Sequence, residues 1–176
     1  MHIWRHFLTI TRHRHKTMYN CFRAGIPWRG LMHDLSKYSP TEFLEGARHY
    51  QGTRSPNARE REVKGFSEAW MHHKGRNRHH FEYWTDFMPE KGKYCPVPMP
   101  PVYFAEMMCD RVSASKVYQG KNYTDRSALE YWEREKGHVE AHPDTMRDIE
   151  KFLTLLAEKG EREFFAALRR HLKAHK

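Results

Sequence analysis

Cysteine is scarce in this sequence: Cys21, Cys95 and Cys109 are the three among 176 residues. They are odd in number, widely spaced and without a Cys-x-x-Cys pair, which argues against a disulfide framework and a thiolate zinc site and suits a reducing, cytoplasmic setting. Long apolar runs are missing as well. The stretch from Met1 to Ile10 is broken by His2, Arg5 and His6, which leaves neither a signal-peptide core nor a membrane span, so no membrane partner is expected. Internal repeats, low-complexity tracts and convincing strands are absent too. Acidic residues are the minority, 22 against 31 Lys and Arg, giving a formal charge of +9 with the 14 histidines neutral. That balance predicts a positive surface potential suited to phosphate esters, nucleotides, nucleic acid or anionic lipid.

What is present suffices for one hydrophobic core. Hydrophobic residues make up 39% and aromatics 14%, which excludes disorder along the whole length, and the chain length suits a single domain. Three-and-four spacing puts Trp4, Leu8, Thr11, His15, Met18, Tyr19 and Phe22 on one face of an opening helix that Gly25 and Pro27 end. A short helix from Pro27 is expected to carry Leu31, Met32, His33 and Asp34 and to finish near Tyr38. Ser39-Pro40-Thr41-Glu42 combines a capping serine, a proline at the first helical position and a glutamate three residues after the cap. This capping-box pattern starts a helix to about Tyr50.

Residues 58–73 read as one further helix, with Val63, Phe66, Ala69, Trp70 and His73 on a common side. Prolines and Gly92 interrupt residues 85–101, which read as a long loop. Val102 to Val117 is apolar on nearly every side and predicts a central, buried helix holding Asp110. Asp125 is expected to cap a helix bearing Leu129, Tyr131 and Trp132, and amphipathic helices follow at about 144–158 and 161–172. The expected fold is all-α, a compact single-domain helical bundle over residues 1–176. Its site-bearing part covers about 1–120 and its closing helices about 125–175.

A carboxylate beside a histidine on a buried helix is costly unless something offsets the lost hydration, and a divalent metal does so by coordinating both. His33-Asp34 is such a pair. Further candidates are His15, His73, the pair His79 and His80, and Asp110. Helical geometry favours His15 over His6 and His13, which the periodicity turns to a more polar side, and His73 over His72. The turn at His79 and His80 is too short for periodicity to choose between them. A lone histidine on an apolar face is more often a hydrogen-bonded core residue than a ligand. The whole set, mixed in nitrogen and oxygen, is what points to one or two divalent ions, among Mn, Fe, Mg, Zn and Ni.

Lys37, one turn beyond the pair, is placed to meet a substrate phosphate oxygen, although a lysine at a helix C-terminus also serves simply by facing the dipole. Asn77, Arg78, Arg111 and Lys116 are substrate-binding candidates. His80 and Glu82 are catalytic candidates, Glu82 by orienting a ligand imidazole through its second nitrogen.

The segment Leu31-Met32-His33-Asp34-Leu35-Ser36-Lys37 resembles the His-Asp-x-x-Lys signature of the HD-domain superfamily of metal-dependent phosphohydrolases. That superfamily includes a cyclic-dinucleotide phosphodiesterase branch. The resemblance implies ligands in the order upstream histidine, His-Asp pair, intermediate histidines and distal aspartate. Here those are His15, His33 and Asp34, His73 with His79 or His80, and Asp110. His79-His80-Phe81-Glu82, followed by Pro100 and Asp110, is similar to the His-His-Glu and distal-aspartate region of the phosphodiesterase branch, whose Gly-Tyr-Pro element this chain lacks. The segments at His33 to Phe43 and Asn77 to Trp84 are also similar to a small uncharacterised bacterial and phage HD-like family.

The resemblance implies a hydrolase that cleaves a nucleotide or other phosphate ester with a metal-activated water. Two alternatives stand beside it. One is an HD-type di-iron oxygenase. The other is a non-enzymatic nucleic-acid-binding protein in which Trp28, Tyr38, Trp70, Tyr83, Trp84 and Tyr123 supply stacking surfaces.

Overall fold

Residues 1–175 are described by a computed structural model. Its helices are α1 (Ile3–Ala24), α2 (Pro27–Met32), α3 (Pro40–Arg48), α4 (Pro56–Lys64), α5 (Glu68–Arg76), α6 (Pro101–Gln119), α7 (Ser127–Glu135) and α8 (Pro143–Ala174). Helices α2, α3, α4, α6 and α8 start on a proline, whose fixed φ suits the first helical position and whose missing N–H is not needed there. Gly25 closes α1 at φ 84, in the left-handed conformation that lets its N–H return to the carbonyls of Cys21 and Phe22. Among the described residues no helix is long and apolar enough to cross a membrane.

Helix α6 is the axis of the molecule. It packs against α1 on one side and against α7 and α8 on the other, so it is apolar nearly all round. Toward α7 and α8 its Met108 and Val112 meet Leu129, Trp132, Ile149, Leu153, Leu156, Phe164 and Leu168, the centre of the apolar core. Toward α1 the contact is polar as well as apolar: Asn20 Nδ2 donates to Ser113 Oγ at 2.9 Å.

Several expectations are corrected. The inward face of α1 is His6, Ile10, His13, Thr17, Asn20, Cys21 and Ala24, whereas Trp4 and Phe22 are 68% and 70% exposed. The reason is close packing. A Cβ added at Gly30 would lie 2.7 Å from Cys21 Cβ, so α2 meets α1 across small side chains and the aromatic face is left outward.

Residues 58–73 do not form one helix. Gly65 at φ 83 ends α4, and Ser67 starts α5 by accepting the Trp70 N–H at 3.0 Å. The expected loop at 85–101 contains an antiparallel hairpin, β1 (Thr85–Met88) with β2 (Lys93–Pro96), in which Phe87 is opposite Tyr94. Asp125 does not cap α7; it accepts a bond from Tyr123, while Ser127 Oγ accepts the Thr124 N–H at 2.9 Å. Gly160 (φ 76, ψ 177) breaks α8 between the two closing segments expected from the sequence.

Candidate metal centre

The site begins at an interruption of the backbone. Helix α2 ends at Met32, His33 is extended (φ −56, ψ 130), and a 3-10 turn over Leu35–Tyr38 follows Asp34. Asp34, at φ 54, is the one non-glycine residue with positive φ among the described residues. Aspartate tolerates that conformation better than most side chains, and such backbone outliers gather at functional sites. The pair therefore lies between α2 and the turn, not on the helix expected from the sequence. On a helix adjacent side chains diverge by about 100°, and the break is what brings both into one cluster. Arg14 secures the segment by donating to the carbonyls of His33 at 3.1 Å and Leu31 at 2.5 Å.

Asp34 is the meeting point of two groups of side chains. Its Oδ2 lies 3.3 Å from His33 Nε2 and 3.6 Å from His13 Nε2. Asp110 Oδ1 completes that group at 2.8 Å from His13 Nε2 and 3.4 Å from His33 Nε2. The other oxygen, Oδ1, lies 3.3 Å from His73 Nε2 and 3.4 Å from His79 Nε2, and His80 joins this second group. Within each group the ligand-type atoms lie within 4.8 Å of one another. Nε2 of His33, His79 and His80 and Asp34 Oδ1 are buried without a hydrogen-bond partner, while His13 Nε2 faces Asp110 and Asp34 Oδ2 faces the Lys37 ammonium.

The outer nitrogens of His33, His73 and His79 meet carboxylates. Glu106 Oε1 is 3.0 Å from His33 Nδ1 and 3.3 Å from His79 Nδ1, and His73 Nδ1 bonds Glu42 Oε2 at 2.7 Å. Arg29 secures Glu106 through Nε at 2.7 Å and Nη2 at 2.6 Å. These carboxylates favour a proton on Nδ1 of His33, His73 and His79, the tautomer that leaves Nε2 available to a metal.

Burial alone would push the carboxyl groups toward neutrality, but the imidazoles and Lys37 outweigh it. Asp34 and Asp110 are held well below the usual carboxylate range, and Glu106 is held down to about 2 by its bonds from His33 and His79. Burial works against a charged His33 as well, yet Asp34, Asp110 and Glu106 raise its pKa. Burial and the neighbouring rings push His79 and His80 down, toward neutral imidazoles. Ionised carboxylates, His79 and His80 pushed toward the neutral form, and unpartnered Nε2 atoms together are a donor set that suits a divalent transition metal. The protein thus contains buried His/Asp clusters able to bind metal. The acidic group Glu45, Glu60 and Glu68 is different, because Lys64 lies 2.7 to 3.3 Å from each and supplies the counter-charge.

Of the residues singled out from sequence, the structure brings together His33, Asp34, His73, His79, His80 and Asp110. His79 and His80 both belong, so the choice left open between them does not arise. His15 is exposed on the outer face of α1, and His13, two positions earlier, stands in the cluster instead. Lys37 Nζ is 2.7 Å from Asp34 Oδ2, with its side chain 30% exposed. Glu82 bonds no ligand imidazole; its carboxyl is half-buried, with Oε2 unpartnered, and burial raises its pKa. Orienting the rings falls to Glu42 and Glu106.

Arg111 bonds Glu135 at 3.0 Å and Lys116 pairs with Glu161, so neither is free to hold a phosphate. Asn77 donates to Ser36 Oγ and to the His73 carbonyl, and Arg78 donates to Tyr103, both on the outer side of the rings. Two missed residues had signals. Glu106 is a carboxylate inside an otherwise apolar helix, four positions before Asp110 and hence on its face, and Glu42 is the acid of the capping pattern. That acid bonds His72 and His73 rather than the Ser39 N–H.

No curated protein and no solved structure matches the chain. Residues 2–155, which include every member of both groups, match the family described as a family of unknown function, DUF5662, and the chain belongs to that family.

Proposed function

We propose that this protein is a metal-dependent phosphohydrolase acting on a nucleotide or other phosphate ester, with two divalent cations held side by side. His13, His33, Asp34 Oδ2 and Asp110 would hold one, and Asp34 Oδ1, His73, His79 and His80 the other. The observation that carries this reading is a single carboxylate whose two oxygens face separate groups of imidazoles, most of whose inward nitrogens have no partner. The His33-Asp34-x-x-Lys37 pattern and its resemblance to the HD-domain superfamily support it independently.

Bound divalent cations would lower the pKa of a coordinated water and offset charge on the phosphoryl oxygens. The chain's own groups do the rest. Glu42 and Glu106 fix ring orientation and tautomer, which keeps the Nε2 atoms aimed at one place without reorganisation. Lys37 stands at the solvent edge of the cluster with its ammonium beside Asp34, where it can meet a phosphoryl oxygen and stabilise charge that grows in the transition state. Asp110 is the more exposed of the two ligand-type aspartates at 15%, so a substrate would approach between it and Lys37.

The test is metal analysis of the purified protein with a screen of nucleotides and phosphate esters. Bound divalent metal and phosphate release are expected, both lost on chelation and in Asp34→Ala. Equal metal content and turnover in that variant would overturn the reading. Substrate-dependent oxygen uptake would favour the di-iron oxygenase instead, and RNA or DNA binding that survives chelation and His33→Ala would favour the binding protein.

A further inference from the structure

We propose that the groove behind the imidazoles, walled by Arg29, Arg76, Asn77, Arg78 and Tyr103, is a second site that binds a small phosphate-bearing ligand. Through Glu106 it is coupled to the histidines of the metal centre. The anion site rests on the groove alone; its influence on turnover rests also on the hydrolase reading.

The groove encloses about 330 Å³ and is lined by three guanidinium groups against one carboxylate, Glu106. A volume of that size lies at the small end of ligand sites. Glu106 is already committed to Arg29, His33 and His79. Arg76 and Arg78 have no carboxylate within salt-bridge distance among the described residues. Arg76 bonds the His72 carbonyl at 3.4 Å and Arg78 the Tyr103 hydroxyl at 3.3 Å. Arg29 spends Nε and Nη2 on Glu106 and keeps Nη1 unengaged.

Two of the three forks are held against aromatic rings, while Arg76 is exposed and held by its bond to the His72 carbonyl. Arg29 lies 4.7 Å over the Tyr103 ring, and Arg78 lies 5.9 Å from the same ring and 5.5 Å from that of Tyr83. Aromatic faces hold guanidinium groups in place and lower the entropy lost when a ligand docks. A concave surface carrying two guanidiniums without a carboxylate partner, one of them held by Tyr83 and Tyr103, beside the partly committed Arg29, suits a phosphate group, whose oxygens accept several charge-assisted hydrogen bonds at once.

The position separates this site from the metal centre. Glu106 touches His33 and His79 at Nδ1, while their Nε2 atoms face Asp34. A ligand in the groove is therefore on the far side of the rings from any substrate held at Lys37. An anion that shares Arg29 draws its positive charge away from Glu106, and Glu106 then polarises the two Nδ1–H groups more strongly. Occupancy of the groove thereby tunes the imidazoles that face the cluster.

The experiment is calorimetric titration of inorganic phosphate into the chelator-treated full-length protein, its Lys37→Ala variant and its Arg76→Ala/Arg78→Ala double variant. Saturable binding is expected in the first two. Loss of two charge-assisted contacts should weaken it at least about tenfold in the double variant, with helical circular dichroism, and metal content before chelation, unchanged. No binding by the parent protein, equal binding by the double variant, or loss of binding in Lys37→Ala would overturn the proposal. Absence of metal and turnover would sink the hydrolase reading and leave phosphate binding intact, so the two failures are distinguishable.

Discussion

Asp34 joins the two groups of imidazoles, and its left-handed backbone is inseparable from that position. Without the turn at φ 54, His33 and Asp34 would project from a helix in different directions and could not address one cavity. On α1 the same geometry separates two histidines of the same type. His13 Nε2 lies 2.8 Å from Asp110, while His15 faces solvent. His13→Ala is expected to lower bound metal per chain, because it removes an inward nitrogen from the group with His33 and Asp110. His15→Ala should leave metal content unchanged. Elemental analysis of both variants decides it, and the reverse result would move the ligand to the outer face of α1.

At the scale of elements, the centre depends on how closely α2 lies on α1. A Cβ at Gly30 would come within 2.7 Å of Cys21 Cβ and 3.0 Å of the Met18 backbone, and backbone does not yield as a side-chain tip does. Gly30→Ala is therefore expected to destabilise the fold by about 1–3 kcal/mol. Since α2 leads directly into His33, the displacement should also weaken metal binding. Gly137→Ala, where an added Cβ meets nothing within 4 Å, is the matched control. Denaturant unfolding of the two variants measures the difference, and equal midpoints would show that the α1–α2 contact can relax.

For the whole molecule, the apolar core and the polar cluster lie on opposite sides of α6. Met108, Val112, Trp132, Leu153 and Phe164 pack toward α7 and α8, and Glu106 and Asp110 reach toward His13 and His33. A core that does not pass through the cluster predicts a protein that stays folded without metal. Chelation should leave helical circular dichroism in place while lowering stability by mass action, by about 4 kcal/mol where free metal had stood 1,000-fold above its dissociation constant. Collapse of the helical signal on chelation would show that the cluster is part of the folding core.

Much of this was legible in the residues themselves, because the forces concerned act within a few positions of the chain. Proline at helix starts, the serine cap before Pro40, Gly25 as a stop and the unbroken apolar character of α6 mark the helical elements locally. The adjacency of His33 and Asp34 likewise marked where a costly polar pair would need a cation. Orientation was not legible. The aromatic face of α1 looks like a core face, yet the face turned inward is His6, Ile10, His13, Thr17, Asn20, Cys21 and Ala24, with the small Cys21 where α2 comes closest. Hydrophobic periodicity therefore selected His15 where packing selected His13. The break at residues 33–34, the joint use of His79 and His80, and the turning of Glu42 from a helix cap to an imidazole all depend on partners tens of residues away. Local preference chooses the elements, and long-range packing chooses which of their faces meet.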